Sequence, residues 1–291
     1  MLVAGDFANV EGRGVAWFAG EDWKIEAFKA YDAGTGPDLY KLAYAKTFNV
    51  PVDSVTKAQR QIGKVEELAF GYGGGQGAFR TMGVQFGIEV SDTQADLFKH
   101  GWRGGHPMTV RVWRDLERAA IAAVRCPGQA FSAGHPARAV RFKMVGSFLW
   151  CLLPSGKRAL AYAYPKILPG AYGDQLTFFT VPSTNDIKRG SLIDDPANTS
   201  SWARVATYGG SLLENVIQAL CRDLLADCME RLEAEGVPVV LHVHDEIVCE
   251  VPAADAERAH KTTERIMSEV PAWAAGFPLT TQCEVMGRYG K

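Results

Sequence analysis

Three acidic residues stand at the ends of short apolar segments. Asp245 and Glu246 lie between two β-branched runs within residues 239–251, and Asp6 ends the apolar segment 2–6. The two runs predict a strand, a tight turn and a returning strand. Two carboxylates held at adjacent strand ends, within about 4 Å of shared divalent cations, can support phosphoryl transfer. An acid at a hairpin tip is more often only a polar turn residue, so this hypothesis depends on the rest of the chain.

Length and composition limit the class of protein. The chain has 291 residues, of which 47% are hydrophobic, which suits one large or two modest globular domains. No apolar run reaches the roughly 18 residues of a membrane span, and the amino terminus lacks a basic region followed by an apolar one. We therefore expect a soluble cytoplasmic protein with no membrane partner. The six cysteines show no C-x-x-C spacing, which argues against a zinc ribbon or a disulfide framework.

Charge is segregated along the chain although the formal net charge is only −2. From Lys99 to Lys143 there are nine Lys or Arg and two acids, whereas Asp223 to Glu264 contains eleven acids and three bases. The basic segment could contact a polyanion and the acidic segment could hold cations, although solvated helix faces are an equally good explanation for either.

A helix with one basic face is predicted after Pro51, capped by Asp53 or Ser54. Its polar face carries Lys57, Arg60, Gln61 and Lys64, and Leu68 continues the same line. Such a row can reach successive phosphates, Arg as a fork and Lys as a point charge. The glycine-rich segment 71–77 ends this helix and presents Tyr72. It is not a nucleotide-binding loop, because it follows a helix and lacks the G-K-[ST] ending.

Hydrophobic periodicity predicts the other elements. In order these are a strand ending at Asp6, a helix bearing Glu11 and Arg13, helices over 23–49 and 91–124, strands at 149–153, 159–164 and 176–181, a mobile loop at 184–201, a long amphipathic helix from a Ser211–Glu214 capping box to Gly236, the acidic hairpin, and a helix over 253–270. The interleaved Trp and Arg residues of 91–124 suit single-stranded nucleic acid, although tryptophans at helical spacing are more often core.

Three segments together resemble motifs A, B and C of the family A DNA polymerases, the DNA polymerase I family, most closely its phage members. They are Asp6-Phe-Ala-Asn-Val-Glu11-Gly-Arg13, Arg60-Gln-Ile-Gly-Lys64 with Tyr72-Gly73, and His244-Asp245-Glu246. Gln218 and Asp223, on the helix before the third motif, strengthen the resemblance. It covers nearly the whole chain, which corresponds to the palm and fingers of the family.

The resemblance implies an α+β fold, with an antiparallel-sheet palm carrying helices on one face and a mainly helical fingers subdomain. Residues 1–30 would form the first part of the palm with motif A. Residues 31–203 would form the fingers with a β-hairpin-containing insertion, and residues 204–291 the second part of the palm with motif C. The thumb and exonuclease domains, which precede motif A in the family, are expected to be absent from this chain.

The resemblance also assigns catalytic roles. Asp6 and Asp245 would bind two Mg²⁺ ions, for which Mn²⁺ could substitute, and Glu246 would support that metal site. Lys64 would neutralise or protonate the leaving pyrophosphate, and Arg60 would contact the triphosphate beside it.

Substrate and DNA contacts follow from the same motifs. Glu11 would exclude a 2′-hydroxyl, Tyr72 would stack near the templating base, and Leu68 stands at a sugar-contacting position where the family usually has an aromatic residue. The residues expected to touch the primer-template end are Arg13, Gln218 and His244. Glu214 stands where the family has an amide side chain that contacts the DNA minor groove, so the resemblance does not extend to that contact.

The expected function is therefore template-directed DNA synthesis on primer-template DNA with deoxynucleoside triphosphates. The chain would be the catalytic part of a split or truncated polymerase, with a thumb or exonuclease polypeptide as partner, in the host cytoplasm if a phage encodes it. One alternative is a nucleic-acid-binding subunit with little chemistry of its own. A metallohydrolase built on His242-x-His244 lacks an obvious third ligand. A single-subunit RNA polymerase is disfavoured by Glu11 and Glu246.

Overall fold

The structure is a computed structural model that describes residues 1–171, 173–188, 190–193 and 201–290. Its elements are β1 (Leu2–Phe7), α1 (Val10–Ala19), α2 (Asp22–Asp32), α3 (Leu39–Phe48), α4 (Lys57–Phe70), α5 (Gln76–Gln85), α6 (Asp92–Gly105), α7 (Pro107–Arg125), β2 (Ala130–Ala133), β3 (Val140–Val145), β4 (Phe148–Leu152), β5 (Ala159–Gly170), β6 (Gly173–Thr180), α8 (Thr184–Lys188), β7 (Ala203–Ala206), α9 (Gly209–Ala234), β8 (Val239–Val243), β9 (Glu246–Glu250), α10 (Ala256–Ser268) and β10 (Thr281–Met286). The predicted α+β class is confirmed.

The chain forms two compact units. The first unit contains Met1–Trp17, Asp22–Gly36 and Ile217–Lys291, and the second contains Phe18–Glu21 and Pro37–Val216. The division into palm and fingers segments that was drawn from the sequence stays a prediction. None of the helices among the described residues is long and apolar enough to cross a membrane.

The first unit is organised on an antiparallel sheet with the strand order β10-β1-β9-β8. Helix α10 packs against β1 and β10 and buries Ala259, Ile266 and Met267. A Cβ atom added to Gly5 in β1 would lie 2.5 Å from the Met267 sulfur and 2.9 Å from the Thr263 methyl group, so glycine favours the close approach of α10 to the strand. The same sheet therefore has one face fixed by α10.

The predicted amphipathic helix before the acidic hairpin is confirmed as α9. Within the first unit its Ile217, Leu220 and Leu224 are buried. Gly14 in α1 lets this helix approach, since a Cβ atom there would lie 3.2 Å from the Ile217 side chain. The glycine that weakens α1 by propensity is thus a packing position.

The helices of the second unit enclose an aromatic core. Phe70 stacks on Phe79 with ring centroids 5.4 Å apart, and Trp102 stacks on Trp113 at 6.2 Å. The indole of Trp102 donates to Glu67 Oε1 and that of Trp113 donates to the Gly71 carbonyl. These tryptophans of 91–124 are therefore core residues, and their nucleic-acid interpretation is wrong. The predicted helix over that range is two helices, α6 and α7.

A second antiparallel sheet, with the order β2-β3-β4-β5-β6-β7, follows these helices. The three predicted strands correspond to β4, β5 and β6, whereas β2 and β7 were not predicted. Helix α7 packs on this sheet. Within the predicted mobile loop, α8 covers Thr184–Lys188, while residues 189 and 194–200 lie outside the described residues.

Two predicted helix starts are wrong. Helix α4 is capped by Thr56, which forms a capping box with Gln59, because residues 52–54 are already used in a short 3₁₀ turn. Helix α9 begins at Gly209 instead of at Ser211. A Cβ atom on Gly209 would lie 1.9 Å from the Trp113 carbonyl oxygen, so glycine lets this helix start against the backbone of α7.

Replacement of Gly63 by Ala should destabilise the second unit. A Cβ atom there would lie 2.1 Å from the Tyr40 carbonyl oxygen, so α3 and α4 would have to separate. Overpacking of this kind costs about 1–3 kcal/mol. Urea unfolding of Gly63→Ala and of Gly104→Ala measures the difference. Gly104 is a helical glycine with no atom within 4 Å of an added Cβ, so its alanine variant should match or exceed the parent stability. Equal stability of the two variants would contradict this packing argument.

Candidate active site

Strand pairing brings the predicted acidic residues together at one end of the first sheet. In the antiparallel β1–β9 pair, Asp6 lies directly opposite Glu246. The next backbone hydrogen bond runs from the Phe7 N–H to the Asp245 carbonyl, at 3.2 Å. Asp6 and Asp245, from opposite ends of the chain, thus lie at neighbouring strand ends, and both are partly exposed.

The acidic turn has a defined backbone. Val243 pairs with Glu246, so His244 and Asp245 form a two-residue connection between β8 and β9. His244 has a φ of +54°, in the left-handed region that costs a non-glycine residue about 1–2 kcal/mol. Its side chain is exposed. The tight turn therefore fixes the backbone position from which the Asp245 side chain extends.

Glu246 differs from the two aspartates in its surroundings. Its side chain is buried, and the Tyr289 hydroxyl donates to its Oε2 at 3.0 Å. A buried carboxylate that accepts a hydrogen bond from a tyrosine is held in a fixed orientation. The supporting role of Glu246 toward Asp6 and Asp245 stays a prediction.

Glu11 and Gln218 form a direct pair. Glu11 lies in the first turn of α1, and the Gln218 amide on α9 donates to its Oε1 at 2.7 Å. Both side chains are exposed. The sequence had assigned Glu11 to the nucleotide and Gln218 to the DNA. Their contact makes them one structural group.

Cys221, one turn after Gln218, is a site-adjacent residue that sequence reasoning missed. Its thiol is buried, and this burial raises its pKa well above the ordinary value. The negative charges of Glu11 and Asp245 raise that pKa further. Cys221 is therefore a neutral thiol within electrostatic range of both carboxylates. The i, i+3 spacing from Gln218 was the signal that could have identified it.

Arg13 has a different position from the one predicted. It is 2% exposed, and its guanidinium lies 4.5 Å from the Phe28 ring centroid. It donates to both carboxylate oxygens of Asp32 and to the carbonyl oxygens of Ala8 and Pro278. Such inward-directed bonds anchor α1 to α2, so the predicted contact of Arg13 with a primer-template end does not fit this structure.

The basic face of α4 lies in the second unit. Arg60 donates to Asp38 Oδ2 at 2.8 Å and lies 5.1 Å from the Tyr40 ring centroid. Lys64 Nζ lies 4.9 Å from the Phe86 ring centroid. Arg60 and Lys64 are four residues apart, so they lie on one face of α4. Each is positioned by partners within the second unit.

A cavity of about 690 Å³ lies beside the end of α4. Leu68, Tyr72 and Tyr208 line it, together with Glu214 and the glycines that follow Tyr72. The Tyr208 hydroxyl donates to the Tyr72 carbonyl at 3.2 Å, which fixes the segment after α4. Leu68 is 47% exposed, so the residue that departs from the family pattern is accessible.

The donor atoms at the first-unit strand ends fit magnesium better than zinc. Asp6 and Asp245 supply carboxylate oxygens, which Mg²⁺ prefers, and it commonly takes one or two of them together with water and substrate phosphates. Among the described residues no group of three or more His, Cys, Asp or Glu is arranged as a metal site. Neither the His242–His244 pair nor the Asp6–Asp245 pair belongs to such a group of three among those residues.

No protein-family model matches the chain. The DNA polymerase of Bacillus phage SP02 is 37% identical over 289 residues, which are 98% of this chain and 40% of that protein. DNA polymerase I of Mycobacterium bovis is 30% identical over 128 residues, 44% of this chain and 12% of that protein. The Mycobacterium tuberculosis H37Rv enzyme of the same name matches equally. The chain thus spans well under half the length of these relatives.

The fold also matches a solved polymerase structure, the POL domain of Pol1 from M. smegmatis in complex with DNA primer-template and dNTP. The TM-score is 0.55 at 16% identity, and the match covers 97% of this chain and 38% of that one. This likeness shows the fold, and the phage relative shows the sequence relationship. The chain belongs to the family A DNA polymerases and corresponds to part of their polymerase domain.

Proposed function

We propose that this chain carries out template-directed DNA synthesis, in which a deoxynucleotide is transferred to a primer 3′-hydroxyl. The observation that carries the proposal is the pairing of β1 with β9, which sets Asp6 opposite Glu246 and beside Asp245. Similarity to the phage SP02 DNA polymerase over 98% of the chain supports it. The same residue types at one sheet end are those that two-metal phosphoryl transfer requires.

Asp6 and Asp245 are the proposed ligands of two Mg²⁺ ions, which Mn²⁺ could replace. Bound divalent ions would supply charge neutralisation at the phosphate and lower the pKa of the attacking hydroxyl. The protein contributes the fixed turn at His244 and the buried Glu246, which together orient the two aspartates. Close carboxylates repel each other, so the rigid strand pairing holds them where unpaired side chains would separate.

Arg60 and Lys64 are the proposed contacts of the incoming triphosphate. In the structure Arg60 is paired with Asp38, and a triphosphate would compete with that carboxylate for the guanidinium fork. Lys64 would neutralise the leaving pyrophosphate or donate a proton to it. Their spacing on α4 lets the two cations act on neighbouring phosphate groups.

Selection of the sugar is assigned to Glu11. Its carboxylate is oriented by the Gln218 amide, so the exclusion of a 2′-hydroxyl depends on both residues. The cavity beside Leu68 and Tyr72 is proposed for the nucleotide base and sugar. His244, exposed at the turn, is the proposed primer-terminus contact.

A thumb and an exonuclease are proposed to come from another polypeptide or from an upstream region. Because a thumb provides much of the grip on duplex DNA, this chain by itself should extend primers weakly and dissociate after few additions. A processive reaction by the isolated chain would contradict this part of the proposal.

Replacement of Asp245 by Ala should abolish Mg²⁺-dependent primer extension. Loss of a metal ligand removes several kcal/mol of transition-state stabilisation, which corresponds to roughly a thousandfold or more in rate. Gel-based extension of a labelled primer measures it, and Asp245→Asn tests the charge at nearly constant shape. Glu250→Gln, an exposed acid at the other end of β9, is the matched control and should keep parent activity. If Asp245→Ala extends primers as well as the parent, Asp245 is not a ligand of a catalytic metal ion.

Gln218 should affect sugar selection only through Glu11. Glu11→Ala should raise ribonucleotide incorporation. Gln218→Ala should raise it by about tenfold or less, since a hydrogen bond between two exposed side chains contributes only about 0.5–1.5 kcal/mol. The ratio of kcat/KM values for ribonucleotide and deoxynucleotide measures both. In the Glu11→Ala background the Gln218 change should have no further effect on that ratio. Glu230→Ala, exposed on the same helix, is the control. Additive effects of the two changes would show that the pair does not act as one group.

A further inference from the structure

The sheet of the second unit has two chemically different faces. Its inner face is buried and carries Val140, Phe142, Leu149, Cys151 and Tyr162. Strand β3 alternates strictly, because Arg141 and Lys143 between these apolar residues are exposed. Directly opposite residues on an antiparallel pair share a face, so Lys143 lies beside its partner Trp150 on the outer side.

The segment that forms most of this sheet is entirely without acidic residues. Residues 118–173 contain eight Lys or Arg and no Asp or Glu. Arg141 and Lys143 make no ion pair with another residue that the structure describes. Arg125 of this segment pairs with Asp174, which lies just outside it. The charges of Arg141 and Lys143 are left to suit a polyanion at the outer side of the sheet.

Exposed aromatic rings lie next to these cations. Phe148, Trp150 and Tyr164 are 36%, 38% and 56% exposed. The Phe148 ring centroid lies 5.8 Å from that of Trp150 and 6.2 Å from that of Tyr164. Phe179 continues the row from Tyr164, with centroids 6.4 Å apart. The exposed rings thus lie on β4 and β5, whereas the guanidinium of the buried Arg204 lies 4.3 Å from the Phe179 ring centroid on β6.

Tyr164 is held outward by a strained backbone. Its φ is +46°, at an irregularity where the β5–β6 register shifts between Ala163 and Lys166. Its N–H donates to the Ser147 carbonyl at 2.7 Å, and its own carbonyl accepts from Arg204 Nη1 at 3.1 Å. A bulge that redirects a side chain is typical of functional positions. Here it redirects an aromatic ring into solvent.

We propose that this outer face binds single-stranded nucleic acid. The aromatic–basic face is defined by Arg141, Lys143, Phe148, Trp150 and Tyr164. Bases would stack on the rings, since every base has a π-face, while Arg141 and Lys143 would contact the phosphates that connect those bases. Ala159 and Ala161 on β5 share this side of the sheet with Trp150 and leave space over the rings.

The chemistry favours a single strand over other occupants. In a duplex the bases are stacked on each other, so exposed rings on a sheet cannot reach their faces. A second copy of the same face would bring two basic surfaces together, which electrostatic repulsion opposes. None of the five residues belongs to the proposed catalytic group. The inference therefore stands apart from the proposed function.

The test measures binding of a fluorescein-labelled 20-mer of thymidylate to the full chain by anisotropy, in EDTA and without nucleotides. The double variant Phe148→Ala/Trp150→Ala should raise the Kd by about tenfold or more, because each stacked base is lost. Tyr31→Ala, a ring 48% exposed on α2, is the control and should bind like the parent. Melting curves verify that both variants stay folded. An unchanged Kd in the double variant would overturn the proposal.

The charge arm uses Arg141→Glu/Lys143→Glu. Loss of two phosphate contacts should reduce the slope of log Kd against log salt by about 1.4, since each contact to a single strand contributes about 0.7. Lys261→Glu, exposed on α10, is the matched control and should keep the parent slope. Equal competition by a duplex 20-mer would overturn the proposal. So would a dimer of the parent, seen by sedimentation, that Phe148→Ala/Trp150→Ala dissolves.

Because the assay contains no primer, metal or nucleotide, its result does not depend on synthesis. Inactivity of the parent in primer extension would leave the oligonucleotide result intact, and loss of oligonucleotide binding would leave the carboxylate site intact. A uridylate 20-mer in the same assay distinguishes DNA from RNA as the preferred strand.

Discussion

The register of β1 against β9 is the constraint on which the rest of the first unit depends. Side chains alternate between the faces of a strand, so a slip of one residue would send Asp6 to the other side of the sheet. Two features oppose the slip: β1 is bonded on both edges, to β10 and β9, and the Met267 and Thr263 side chains of α10 pack closely over Gly5. Packing on one face of the sheet thus determines the position of a carboxylate.

The acidic side chains at this end of the sheet accept hydrogen bonds from neutral donors, and the arginine nearest to them in sequence is directed into the protein. Glu246 is fixed by a tyrosine hydroxyl and Glu11 by an amide. The Cys221 thiol stays protonated because burial, and then nearby negative charge, raises its pKa. Arg13, the cation nearest in sequence to Glu11, is instead paired with Asp32. Gln218 and Tyr289 are uncharged, so their hydrogen bonds orient Glu11 and Glu246 without neutralising them.

Sequence periodicity predicted the elements that are amphipathic by themselves, namely α4, α9 and the acidic hairpin. Periodicity did not predict element boundaries that depend on contact with backbone distant in the sequence. The start of α9 is set by the carbonyl of Trp113, which no local pattern around Gly209 contains. The motifs predicted that Asp6 and Asp245 lie at neighbouring strand ends, which the structure confirms. They could not show that Arg13 is buried, because its burial depends on Asp32 and Pro278 meeting its guanidinium.

The second sheet shows why its outer face escaped sequence reasoning. In β4 the run Phe-Leu-Trp-Cys-Leu is apolar throughout, so it resembles a strand buried on both sides. Its neighbour β3 alternates polar and apolar residues and shows that one side is solvated. Large aromatic rings exposed to water beside cations, with Tyr164 held at a positive φ, cost free energy in an isolated domain. A stacked and charged ligand would offset that cost, whereas a further layer of protein would leave the cations buried.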